Sequence, residues 1–108
     1  MKHVTNATEL DGIKSSGITF VKFSSNWCGP CKALIPVFHQ LETKNQDVNF
    51  VSINIDFSPE LTAQYGVEKI PTIIVFQNGE EKNKSVGAKQ EVYYQNIINE
   101  LKNETKNS

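Results

Sequence analysis

Cys28 and Cys31 are the only cysteines in this chain of 108 residues, and they sit three positions apart in Trp27-Cys28-Gly29-Pro30-Cys31-Lys32. A pair so spaced can move two electrons by thiol–disulfide exchange. One thiolate attacks a partner's disulfide, and the second thiol resolves the mixed disulfide by closing an internal bridge. The attacking species is the thiolate. A free thiol with a pKa near 8.5 is only about 3% ionised at pH 7, whereas one shifted to about 7 is roughly half ionised.

The residues around the pair favour such a shift. An apolar, strand-like run ends just before the motif and a helical pattern begins within it. Cys28 is therefore expected to lie exposed at the mouth of a helix, facing unpaired backbone N–H groups, with Lys32 nearby. This makes Cys28 the expected nucleophile. Cys31 lies one turn further in, screened by Trp27 and Pro30, and is the expected resolving thiol. A structural zinc site would need four ligands, so His3 and His39 would have to converge on the pair. His39 reads instead as facing solvent or packing on its own helix, and no metal is expected. A purely structural bridge is disfavoured because its loop is too short to constrain the unfolded chain much.

The elements that must position the motif follow from periodicity and punctuation. Leu10 and Ile13 predict a short helix from about Thr8 to Ser15, stopped by Gly17. Ile18 to Phe23 is apolar on both faces, as a central strand requires, with Lys22 its one charge. Ala33, Leu34, Val37, Phe38 and Leu41 mark the buried face of a helix over about Gly29 to Lys44. Pro30 fits its first turn, and Pro36 removes one ladder bond inside it. Val48 to Ile55 reads as a second core strand, so strand, helix and strand form a parallel crossover. Ser58-Pro59-Glu60 predicts an N-cap and first turn, with Gly66 ending that helix. Thr72 to Phe76 is a further strand, and Asn78-Gly79 predicts a tight hairpin to a strand over about Glu81 to Val86. Val92, Tyr93, Ile97, Ile98 and Leu101 mark a last helix from about Lys89 to Lys102, with a fraying polar tail from about 103.

Composition narrows the function classes. The net charge is −1, every positive side chain apart from histidine is lysine, and the lysines are scattered. Nucleic acid is not expected as a partner, since phosphate binding favours a basic, arginine-rich stripe. No secretory signal is visible, and no apolar run approaches the roughly 18 residues of a membrane span. The expectation is one soluble, cytoplasmic domain over residues 1–108, monomeric and without membrane contact.

The residues resemble the thioredoxin family from about Val4 to Leu101. The match rests on Phe23, the Trp27 to Lys32 motif, Pro36, Ile70-Pro71-Thr72, Phe76-x-Asn78-Gly79 and Val86-Gly87. The resemblance implies an α/β thioredoxin fold, with a central mixed five-stranded sheet flanked by helices on both faces. It also implies that Pro71 is the family's cis-proline, packed against the cysteine pair, with Ile70 offering its backbone to an extended substrate. Read without the resemblance, Pro71 would be an ordinary strand-start proline, because only about 5% of X–Pro bonds are cis. Trp27, Gly29, Pro30, Ile70, Val86, Gly87 and Ala88 are implied to form a flat apolar docking surface around Cys28.

The chain departs from the family pattern at three positions. Lys22 stands where the family usually keeps a buried aspartate, Ser52 where it keeps that acid's lysine partner, and Ser24 where it has a tryptophan. In the usual family account the aspartate helps take the proton from the resolving thiol, which is general-base work. Alternation puts Phe20, Lys22 and Ser24 on one strand face, on the side of the motif. Lys22 could act as a neutral base, could stay charged and favour the thiolates, or could pack its stem while the ammonium reaches water.

The resemblance implies a general protein-disulfide reductase and electron carrier, acting through Cys28 and Cys31 and recharged by a separate thioredoxin reductase-type enzyme. Its substrates would be disulfide-bearing proteins, and it would need no bound cofactor. A binding module using the surface around Trp27 without turnover is the alternative, and Cys28, Cys31 and Pro71 speak against it. An exported thiol oxidant would need a signal removed before Met1, which is not expected.

Overall fold

Strand β2 (Ile18–Ser24) is apolar on both faces because it is the middle strand of the sheet, and only Ser24 at its end is partly exposed. The computed structural model describes residues 1–107, and the elements around β2 are β1 (Lys2–His3), α1 (Ala7–Lys14), α2 (Gly29–Lys44) and β3 (Asn49–Asn54). They continue as α3 (Pro59–Gln64), β4 (Thr72–Gln77), β5 (Glu80–Val86) and α4 (Glu91–Asn107). The sheet order is β1-β3-β2-β4-β5. Strands β1 and β2 run parallel to β3, whereas β4 is antiparallel to β2 and β5 to β4.

Each face of the sheet carries a helix pair. On one side Phe20, Phe50, Ile73 and Val75 pack with Leu34 and Phe38 of α2 and Tyr94 and Ile98 of α4. Phe38 is the hub of this layer, with its ring centroid 5.2 Å from that of Tyr94, 6.0 Å from Phe50 and 6.3 Å from Phe20. On the other side Val21, Phe23, Val51 and Ile74 meet Leu10 of α1 and Leu61 of α3. Lys22 and Ser24, alternating with Phe20, therefore belong to the α2 face.

Local chemistry sets the boundaries. Asn6 caps α1 by accepting from the Glu9 N–H at 2.8 Å. The hairpin turn has both residues at positive φ, Asn78 at 51° and Gly79 at 86°, as a tight turn matched to strand twist requires. Gly66, at φ 65°, follows the α3 cap residue Tyr65. Ser58 precedes α3 but makes no side-chain cap bond, since its backbone leaves the extended cap conformation at ψ 59°.

Four expectations are corrected. Lys2 and His3 read as lead-in to a helix but form edge strand β1, opposite Val51 and Ser52. The core residue of the first turn of α4 is Tyr94, whose hydroxyl accepts from the Lys89 N–H, while Val92 and Tyr93 face solvent. Tyr94, Ile98 and Leu101, spaced i, i+4 and i+7, form the buried stripe of this helix. The polar segment from 103 continues as helix to Asn107, and just before it Lys102 pairs with Asp47, in the loop before β3, at 2.8 Å. Ala33 is exposed on the outer side of α2.

Because Phe38 is fully buried at the centre of the aromatic layer, Phe38→Ala is expected to cost about 3–5 kcal/mol of stability. Urea denaturation should show a lower midpoint with an unchanged slope.

Candidate active site

The junction between β2 and α2 brings the two sulfurs together. Four residues, Ser25 to Cys28, link the end of β2 to Gly29, and Cys28 occupies the N-cap position of α2 in extended conformation. Its Sγ accepts the Cys31 N–H at 3.2 Å, and its carbonyl accepts the Lys32 N–H at 3.2 Å. Pro30, in the first turn, has no N–H to satisfy. Cys28 and Cys31 are joined in a disulfide, with their Cα atoms 5.2 Å apart. Once the bridge is reduced, the N–H donor and helix terminus that meet Cys28 Sγ stabilise negative charge on it.

Cys28 is not the exposed thiol that its place at the helix mouth suggests, being 6% exposed against 3% for Cys31. The cover comes from the β4 side. The Ile70–Pro71 bond is cis, as the resemblance implies, and the Ile70 carbonyl oxygen lies 4.0 Å from Cys28 Sγ. A disulfide sulfur carries no proton, so in this state the approach is a contact and not a hydrogen bond. Pro71 is buried, and its carbonyl accepts the Gly87 N–H at 2.8 Å. Gly87 itself turns the chain at φ 91°, which a glycine adopts without strain.

The expected docking residues divide between surface and support. Trp27 is 70% exposed and Val86 is 49% exposed. Gly29, Pro30, Lys32 and Ala88 are also exposed, and Ile70 and Gly87 are half-buried. Sequence reading missed what orients Trp27: its indole Nε1 donates to Asp56 Oδ2 at 3.1 Å. The available signal was the acid directly after the strand that neighbours the motif.

Lys22 lies directly across from Ser52 on β3 and Ile73 on β4. It is 5% exposed, its Nζ sits 5.6 Å from the Phe38 ring centroid, and among the described residues it has no hydrogen-bond or ion-pair partner. Burial pushes its pKa below the ordinary lysine value, since removal from water penalises the charged form. Lys22 and Cys31 line one cavity of about 460 Å³, together with Lys32, His3 and His39. Among the described residues no three His, Cys, Asp or Glu side chains are gathered to hold a metal ion.

Comparison with known proteins follows the same lines. The family model for thioredoxin matches residues 2–101. The chain belongs to the thioredoxin family. A thioredoxin from Mycoplasmoides gallisepticum is 41% identical over 88 residues, covering 81% of this chain and 88% of its own length. One from Chlamydia caviae is 37% identical over 100 residues, covering 93% and 98%. The solved structure of a mutant thioredoxin from Halobacterium salinarum superposes with a TM-score of 0.84 at 33% identity, covering 90% of this chain and 86% of that one. Thioredoxins are protein-disulfide oxidoreductases, and this member of the family carries the cysteine pair that the reaction needs.

Lys22 gives a pH-dependent stability. Its folded-state pKa lies below the unfolded one, so the unfolded chain binds more protons between the two values and stability rises with pH there. At lower pH the buried charge is a full penalty. Lys22→Met is therefore expected to be more stable than the native chain at neutral pH, with the gap closing as pH climbs towards the ordinary lysine value. Denaturation midpoints of both proteins across that range check the sign.

Proposed function

We propose that the protein is a general reductant of protein disulfides in the cytoplasm, a monomer working as one domain over residues 1–108. What supports this most directly is Cys28 at the N-cap of α2, bridged to Cys31 and flanked by Trp27 and the Ile70–Pro71 segment. In the reduced form the Cys28 thiolate attacks one sulfur of a substrate disulfide. That S–S bond breaks, one substrate sulfur leaves as a thiolate, and a mixed disulfide forms. Cys31 then loses its proton and attacks Cys28 Sγ, releasing the second substrate sulfur. Two electrons pass to the substrate, and the protein is left with the Cys28–Cys31 disulfide.

An extended substrate segment docks on Trp27, Ile70, Pro71 and the Val86 to Ala88 stretch, with the backbone of Ile70 pairing to it. The redox centre is the cysteine pair itself, and a separate thioredoxin reductase-type enzyme returns it to the dithiol. Lys22, on the side of Cys31 away from that surface, favours its thiolate whenever the amine is charged.

Two measurements test this reading. In an insulin-reduction assay with a chemical reductant, Cys28→Ser is expected to fall to the uncatalysed rate, while Cys31→Ser should accumulate a mixed disulfide. Native-like turnover by Cys28→Ser would remove the assignment of the nucleophile. Thiolate absorbance against pH should differ between the native protein and Lys22→Asp, with the thiols ionising at higher pH in the variant because a carboxylate repels a nearby thiolate. Superimposable curves would exclude a part for Lys22.

A further inference from the structure

The cavity beside Cys31 has the size and charge of a ligand site. Its volume of about 460 Å³ falls within the range of small-molecule pockets, roughly 300–1,000 Å³. Two of the side chains lining it are more than nine-tenths buried and unpaired. Lys22 is 5% exposed with no hydrogen-bond or ion-pair partner, and Ser25 is 6% exposed with its Oγ unsatisfied among the described residues. Buried polar groups in folded proteins are nearly always satisfied, and a buried ammonium with no counter-charge costs more than a neutral group.

Basic groups outnumber acidic ones in the rest of the lining. Lys32 adds a second amine, and His3 and His39 add two imidazoles. Glu42 is the one carboxylate among the described lining residues, and it is already held by the Met1 amine at 2.8 Å. The cavity lies on the β3 side of the motif. It shares no lining residue with the Trp27, Pro71 and Val86 surface, so an occupant would not obstruct a docked protein.

We propose that this cavity binds a small oxyanion, a carboxylate or a phosphate, held by the Lys22 ammonium and the Ser25 hydroxyl beside Cys31. Both groups are donors, Ser25 with its Oγ unsatisfied and Lys22 with no counter-charge, and an oxyanion accepts from each while neutralising the ammonium. Binding to a lysine whose proton is weakly held takes up a proton, so affinity falls as pH rises. The other titratable groups facing the cavity are His3, His39, Lys32 and the Glu42 carboxylate, the last paired with the Met1 amine. An anion on Lys22 also competes with a Cys31 thiolate for one charge, and so favours the disulfide state.

The test uses the oxidised 108-residue chain and needs no turnover, so its outcome is independent of the insulin-reduction assay. Isotope-labelled protein is titrated with sodium acetate and with sodium phosphate, against sodium chloride at matched ionic strength, while the backbone signals of Lys22, Ser25 and Cys31 are followed by NMR. Saturable shifts are expected with a Kd on the order of 1 mM. Affinity should drop about tenfold in Lys22→Met, the loss of one charge-assisted hydrogen bond. Ser25→Ala should weaken binding as well, and it carries the test should Lys22→Met fail to fold. Saturation by only one of the two anions supports the site and names its class. Shifts reproduced by chloride, the absence of saturation with both anions, or unchanged affinity in the variants would overturn the proposal.

Discussion

The reactive end of the molecule depends on one unmet need: the first N–H groups of α2 have no partner within the helix. Cys28 answers it with a sulfur, accepting the Cys31 N–H where a serine or aspartate cap would offer oxygen. The same contact fixes the helix start and presents Cys28 to positive partial charge. Capping and reactivity are one interaction, so the thiolate is the better cap of the two protonation states. Strand β2 makes this possible by being buried on both faces, which leaves the short Ser25 to Cys28 link little freedom in where it delivers the sulfur.

The two sides of the motif do different work. Towards β4 and β5 the Ile70 carbonyl lies against Cys28, and the adjacent Pro71 carbonyl is tied to the Gly87 N–H. Towards β3 the interior holds a cavity and a lone amine. The register explains why: Lys22 looks across at Ser52, which bears no charge. The carbonyls and hydroxyls within a sheet are largely committed to neighbouring strands, so a charge placed there has few protein atoms left to turn to.

Much of this was legible in the residues. Apolar runs on both faces marked β2 and β4 as inner strands, Asn78-Gly79 marked the hairpin, and the cysteine spacing marked the site. What escaped reading had physical causes. Strand β1 has two exposed residues and no alternation, and it is a strand only because β3 offers an unpaired edge. Tyr94 was displaced by its neighbours Val92 and Tyr93 because three adjacent apolar residues fit more than one helical phase. The low exposure of Cys28 involves the Ile70 carbonyl, more than forty positions away in the chain. Only the family resemblance pointed to that contact.

Trp27 is the chain's only tryptophan, and it stands on the surface next to Cys28 with its indole tethered to Asp56. The interior rings are phenylalanine and tyrosine, with Tyr94 and Phe38 at their centre. Indole emission from this protein is thus a signal from one address, the redox end, and is nearly blind to the core. Tyrosine or backbone signals carry the rest, so agreement between the two during unfolding measures whether the reactive end and the core melt as a single cooperative unit.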